Sequence, residues 1–266
     1  MGGELPALRV GTLSLGARCR RRLAAMLDPD TKPRPAAKGA FRLDNAVREA
    51  IRVAHEVADH GASTIGDTVD LSPPPGLSAE ERARFVRALE NYVEIAGDDE
   101  VSLHPSTGEF LERPSRTKVF RLTGRNDTTV VDRHTNVIEV RRLHLGRWKA
   151  EGPDVGDDHA LGGAIDDDAL LALLITKGQP SADGELVARV RHLWVGPEPR
   201  DVVRLITVGS INDAGRVLTA LVDSSLVSPT ATPGWWCDGC TVVKSCPAVA
   251  SFSDHELLAR LSVATS

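Results

Sequence analysis

Four cysteines, one near the start of the chain and three near its end, constrain this sequence more than anything else in it. Cys237-Asp-Gly-Cys240 puts two thiols on one tight turn, where Gly239 lets the backbone curl, and Cys246 follows after five intervening residues. Three thiolates leave a tetrahedral site one short, and the only other cysteine is Cys19. If all four serve one ion or cluster, the first and last segments must meet, and the clip closes nearly the whole chain into one loop. The N-terminus has no basic stretch leading into an apolar one, so export and disulfides are not expected, and a metal or cluster is. Cys246-Pro247 echoes the Cys-Pro that closes many iron–sulfur ligand sets, whereas an all-cysteine site suits Zn²⁺ equally well on ligand type. Spacing leaves both open.

The rest of the chain reads as ordinary globular sequence. Of its 266 residues, 41% are hydrophobic and 26% charged, enough to build a core and too few charges for a disordered tail. One α/β domain over residues 1–266 accommodates that length. The longest apolar run, Ala169–Ile175, is far too short to span a bilayer, so a cytoplasmic protein with no membrane partner is expected. A net charge of −5 excludes a basic nucleic-acid coat protein but not a local basic groove. Arginines cluster at Arg18–Arg22 and at Arg141, Arg142 and Arg147. Acids cluster at Asp154–Asp158 and Asp166–Asp168. Each cluster reads first as a solvated face.

Periodicity and turn signals predict helices over Ala17–Leu27, Leu43–Asp59, Ser78 to about Ile95, Asp166–Thr176 and Asn212–Asp223. Ser78-Ala-Glu-Glu81 is a capping box, and the three prolines within Leu71–Leu77 demand a loop. Asp28–Lys38 is a proline-rich connector. Strand candidates are Glu109–Leu111, Lys118–Asp132, Val137–Leu145, Glu185–Val195 and Val202–Val208, with Asp132–Asn136 as a hairpin turn. Helices, then hairpins, then a helix and more strands suit a mixed sheet better than a regular βαβ repeat. Glu151–Asp168 reads as a mobile loop.

A second constellation lies in that hairpin region: Gly124-Arg-Asn-Asp127, a turn, then Ile138-Glu139-Val140-Arg141. If both segments are adjacent antiparallel strands, Asp127 and Glu139 converge. With a neighbouring backbone carbonyl they make a hard-oxygen site for Mg²⁺ or Mn²⁺, which polarises a phosphodiester and acidifies a bound water. Two solvated carboxylates on an exposed sheet face fit the same residues.

Together, Cys19, the G-R-x-D and E-x-basic pair, and C-x2-C-x5-C resemble the iron–sulfur branch of the PD-(D/E)XK nucleases. That branch includes a CRISPR-associated exonuclease family and the RecB-like and AddB-like nuclease domains. The likeness runs from Cys19 to Cys246 and takes in the strand pair over 184–206. It implies a restriction-endonuclease-like mixed sheet flanked by helices, with the chain's two ends joined by a [4Fe–4S] cluster on Cys19, Cys237, Cys240 and Cys246. It further implies Mg²⁺ or Mn²⁺ held by Asp127, Glu139 and the carbonyl of Val140, and DNA, single-stranded or at ends, as substrate. Arg20, Arg21, Arg22 and Arg142 would be phosphate contacts, in a repair or defence complex with a protein partner.

Three positions depart from the family. Arg141 stands in the place of the catalytic lysine, where it keeps a charge but does not readily deprotonate. Arg48 stands in the place of a metal-ligating histidine and has no lone pair to give. His55 and His60, further along the same helix, read as core or surface histidines. The helix Asp168–Thr176 lacks the glutamine and tyrosine often found there. Three functions follow: a weakened metal-dependent nuclease with Arg141 as its cation, an inactive nuclease-fold subunit that binds DNA or partners, and a zinc-stabilised interaction domain.

Overall fold

The computed structural model describes residues 5–10, 13, 18–28, 31, 42–60, 64–104, 110–114, 117–124, 128–146, 165–177, 186–232, 240, 242 and 246. Its elements run β1 (Ala7–Arg9), α1 (Arg20–Met26), α2 (Arg42–His60), α3 (Ile65–Thr68), α4 (Ala79–Ala96), β2 (Val101–Leu103), β3 (Phe110–Pro114), β4 (Val119–Thr123), β5 (Thr128–Asp132), β6 (Ile138–His144), α5 (Asp167–Thr176), β7 (Leu186–Trp194), β8 (Arg200–Thr207) and α6 (Val208–Val227). The capping box at Ser78 forms as the sequence predicts. A second one, Thr64 with Asp67, starts α3.

The fold is mixed α/β, built on a five-stranded sheet in the order β2-β5-β6-β7-β8 with helices on both faces. The β6/β7 pair is parallel and every other neighbouring pair in this sheet is antiparallel. The parallel pair needs a crossover, and α5 supplies it. Side-chain alternation along β6 and β7 sends Val140 and Val190 into a core under α5 and α6, and sends Leu143 and Leu193 into a second core under α2 and α4. Both faces are therefore covered around the central strands, so the charged residues that β6 and β7 carry between their apolar ones are buried or half-buried with partners. α5 is buried along its whole length, and Asp166 caps its first turn by accepting from Ala169 N at 3.0 Å.

The single strand expected over Lys118–Asp132 is in fact two, in different sheets. β4 lies in a three-stranded sheet of order β1-β4-β3, whereas β5 joins the larger one. The break falls beside Gly124, where a Cβ would meet Leu174 Cδ1 at 2.7 Å and Leu171 Cδ1 at 2.9 Å. The leucines of α5 fill the space a side chain would need, so the glycine of the G-R-x-D segment has a packing role. The final helix also starts earlier than its periodicity suggests, directly from β8, with Thr207 as its cap. The loop expected over Glu151–Asp168 includes the cap and first turn of α5 at its end; residues 151–164 lie outside the described residues. Most of the proline-rich connector, 28–38, also lies outside them.

The two ends of the described fold meet. α1 packs against α6, with Leu23 and Leu27 in the same core as Leu218 and Val222, and Arg21 N donates to Thr230 O at 3.0 Å. Among the described residues, no helix is long and apolar enough to cross a membrane.

Overpacking at Gly124 should be costly. Gly124→Val is expected to lower unfolding free energy by about 1–3 kcal/mol, because the leucines of α5 must give way. Urea denaturation checks this, and an unchanged midpoint would contradict the packing.

Candidate functional site

β6 carries the sequence-predicted site, and its alternation divides those residues between two faces. Glu139 and Arg141 point with Leu143 toward α4, while Val140 and Arg142 point toward α5. The antiparallel register sets Thr128 opposite Arg141 and Val130 opposite Glu139, so the chain starts β5 at the level of Arg141. On the other side, parallel β7 sets Arg191 beside Arg141.

Arg141 is fully buried at 0% exposure, and Glu139 nearly so at 7%. The guanidinium donates Nε to Glu139 Oε1 at 2.9 Å, Nη1 to the Tyr92 hydroxyl at 2.8 Å and Nη2 to Asp99 Oδ2 at 2.5 Å. Arg191 doubles the clasp: its Nη1 donates to the same Asp99 oxygen at 2.5 Å and lies 3.7 Å from Glu139 Oε1. Its Nε and Nη2 hold Asp201 at 3.0 and 2.7 Å. The chain of bonds continues inward, because Tyr92 lies 2.6 Å from His55 Nε2. Tyr92 thus accepts from Arg141 and shares a hydrogen bond with His55, whose tautomer decides which of the two donates.

The charge states follow from this packing. Burial alone would depress the pKa of Arg141, but Tyr92, Glu139 and Asp99 hold it above its usual value. Arg191 is likewise raised, since Asp201 and Asp99 outweigh burial. Burial, reinforced by Arg141, pushes His55 down to about 3, and burial raises Tyr92. Two fixed cations thus face the carboxylates of Glu139, Asp99 and Asp201. Glu139 is not the solvated acid of an exposed sheet face. Glu139 Oε1 is bonded to Arg141, so a divalent ion there would compete with that guanidinium for the carboxylate. Thr128 Oγ1, on the same face, is buried without a hydrogen-bond partner among the described residues.

The remaining predicted residues are spread more widely. Asp127 and Cys237 lie outside the described residues. Val140 is a core residue of the central strand, between Thr129 and Val190, where backbone groups serve the ladder. Arg48 donates Nη2 to Leu143 O at 3.1 Å, which ties α2 to the end of β6. His55 is buried and His60 exposed, the latter 2.6 Å from its own helix's Glu56 carbonyl. Cys19, Cys240 and Cys246 are free and buried. Among the described residues, no group of three or more His, Cys, Asp or Glu is arranged to hold a metal ion. Arg20 is exposed on α1, with Arg21 and Arg22 half-buried beside it.

Arg142 belongs to a second polar cluster, on the α5 face. Its Nη1 donates to Asp168 Oδ1 at 2.6 Å. His192 Nε2 lies 2.9 Å from Asp168 Oδ2, and Arg204 bonds both Asp166 and Asp168. His144 Nε2 lies 3.0 Å from His192 Nδ1, and both rings stack with Trp194. Burial would raise the Asp168 pKa, but His192 and Arg142 drive it well below the usual carboxylate range. Burial, then His192, Arg142 and Arg48, push His144 down to about 4. The acids at Asp166–Asp168 are therefore not a solvated face. The sequence carried one sign of both clusters: Arg189-Val-Arg191-His192 puts cations on successive positions of a strand that must be central, and buried cations require acids.

No family model matches the chain, and no curated protein matches it. Among solved structures it is similar to a chain titled "Crystal structure of SSO0001", at 12% identity and a TM-score of 0.41, with 93% of this chain and 89% of that one covered.

Removing Arg141 should leave Glu139 and Asp99 buried against fewer cations. Arg141→Met is expected to cost about 3–5 kcal/mol, with part of the loss recovered in Arg141→Met/Glu139→Gln. Additive losses in chemical denaturation would contradict the clasp. Acid should also destabilise the fold. His55 and His144 have folded-state values of about 3 and 4 against an ordinary 6.5, so the unfolded chain binds more protons between them. Stability is therefore full above about 6.5 and falls as pH drops, by about 2 kcal/mol per histidine at pH 5. Melting curves of wild type and His55→Gln/His144→Gln between pH 7 and 5 check this. An equal acid slope in both would contradict it.

Proposed function

We propose that the chain is a nuclease-fold protein of the iron–sulfur PD-(D/E)XK type that binds DNA, as single strands or ends, without metal-dependent cleavage. It would serve as a DNA-binding or assembly subunit in a repair or defence complex. One observation carries the reading: Arg141, which the resemblance sets in the place of the catalytic lysine, is a fully buried cation bonded to Glu139. A lysine there would leave the carboxylate a compact partner, but the guanidinium spends Nε, Nη1 and Nη2 on Glu139, Tyr92 and Asp99 and is locked in place.

Two further observations support the reading. The large sheet pairs β2, β5 and β6 antiparallel, with β3 and β4 of the second sheet intervening between β2 and β5, and then passes through α5 to parallel β7. This is the kind of mixed sheet the resemblance implies. The bond from Arg21 to Thr230 pins α1, and with it Cys19, beside the chain that leads to Cys237, and all three described thiols are free and buried. Cys19, Cys237, Cys240 and Cys246 are proposed as [4Fe–4S] ligands on their spacing and the resemblance, while the three described thiols are not gathered into a metal-holding group. Such a cluster fixes the two ends of the chain to each other. Zn²⁺ is the alternative on the same ligands.

Anaerobically purified protein should be brown, with broad absorption near ~400 nm and iron in excess of zinc. Cys19→Ala should destabilise it about as much as Cys240→Ala. Colourless protein with about one zinc would replace the cluster by the zinc alternative. With Mn²⁺ and single-stranded or duplex DNA, wild type should cleave no faster than Glu139→Ala, yet bind DNA at low salt with affinity that falls steeply as salt rises. Cleavage abolished by Glu139→Ala would overturn the non-catalytic reading.

A further inference from the structure

β8 is the last strand of the five-stranded sheet, and among the described residues only β7 pairs with it. Its eight residues, Arg200–Thr207, make a far longer edge than the three of β2 on the other side. No backbone bond from a described turn or loop reaches residues 201–206. An edge of this kind turns a row of N–H and C=O groups outward, where a further strand can take them up.

The strand also leaves apolar surface open. The core under α2 and α4 takes Leu143, Leu193 and Val195, and nothing from β8. On that face Val203 and Leu205 are 49% and 60% exposed, two residues apart on one side of the strand.

Charged side chains are a common device that keeps such an edge from pairing. β8 carries Arg200, Asp201 and Arg204, and two of the three are committed within the protomer. Asp201 is held by Nε and Nη2 of Arg191, at 3.0 and 2.7 Å. Arg204 is held by Asp166 and Asp168 on the opposite face. The strand contains no proline and no lysine, and the irregularity in its pairing lies at Leu186 and Ala188, away from Val203.

We infer that β8 is a dimerisation edge, which pairs antiparallel with β8 of a second copy of this chain and joins two five-stranded sheets into one. A two-fold axis perpendicular to the sheet maps each face onto itself, so odd-numbered residues meet odd and even meet even. The axis therefore passes at a residue and not between two. Centred on Val203 it pairs residues 200–206, centred on Arg204 it pairs 201–207, and every other centre pairs fewer. The Arg204 register sets two guanidiniums directly opposite each other, which is unfavourable. The Val203 register opposes no like charges. Val203 meets the partner's Val203, Leu205 the partner's Asp201, Val202 the partner's Arg204 and Arg200 the partner's Ile206. The strand's own sequence thus matches its own edge, and both exposed Val203 side chains come together at the centre. A contact made mainly by one strand pair is small, so the dimer is reversible and concentration-dependent.

Sedimentation velocity of the full-length protein over a concentration series tests this pairing. Wild type should sediment as a dimer at about 100 µM and dissociate on dilution. Val203→Lys and Val203→Glu each place two like charges at the axis and should weaken self-association at least about tenfold. Mixing the two variants should restore a dimer, because lysine then faces glutamate, and that rescue also shows that both variants are folded. Val227→Lys, at the exposed end of α6, should dimerise like wild type. Wild type that stays monomeric across the series would overturn the inference. So would a dimer indifferent to Val203→Lys, or two monomeric variants that fail to combine on mixing.

Discussion

One buried guanidinium organises the α4 side of the sheet. Arg141 joins β6 to α4 through Tyr92 and to the segment after α4 through Asp99, and it neutralises Glu139 on its own strand. A charge removed from water is tolerable only when geometry and hydrogen bonds replace its hydration. That requirement recruits Arg191 from β7 and, through it, Asp201 from β8. Burial, reinforced by Arg141, keeps His55 neutral two bonds away. Helix, strand and crossover positions on this face are thereby tied to one another by chemistry that tolerates little slippage.

The opposite face repeats the logic with other residues. Asp168, at the start of an otherwise apolar buried helix, is held by Arg142, His192 and Arg204. An unpaired carboxylate there would pull α5 toward water, so the arginines of β6 and β8 fix the register between helix and sheet. Here the two faces differ in what they leave over. The Glu139 face is closed, with its cations consumed by acids. The Asp168 face ends in half-buried rings, with Arg142 and Arg204 ion-paired to Asp168 and Asp166.

Much of this was legible in the sequence where the signal was local. The capping box at Ser78, the long helix over 43–59 and the hairpin at Asp132–Asn136 follow from short-range chemistry, and the structure has each of them. The split of Lys118–Asp132 between two sheets was not legible, because the reason for it is Leu171 and Leu174 reaching Gly124 from a distant helix. The same holds for the site. Glu139 and Arg141 stand out by spacing, but their partners Tyr92, Asp99, Arg191 and Asp201 come from other elements, and only the fold brings them together. Arg142, expected from the resemblance to contact phosphate, is ion-paired with Asp168.

Arg141 binds the Glu139 carboxylate, and by our proposal it keeps a divalent ion from that carboxylate. Titrating Mn²⁺ into full-length wild-type protein and into Glu139→Ala, and following free Mn²⁺ by electron paramagnetic resonance, tests it directly. A carboxylate held by Arg141 predicts the same weak, non-stoichiometric Mn²⁺ uptake in both proteins. A stoichiometric site in wild type that vanishes in Glu139→Ala would show that Arg141 yields the carboxylate to metal, and would contradict the claim.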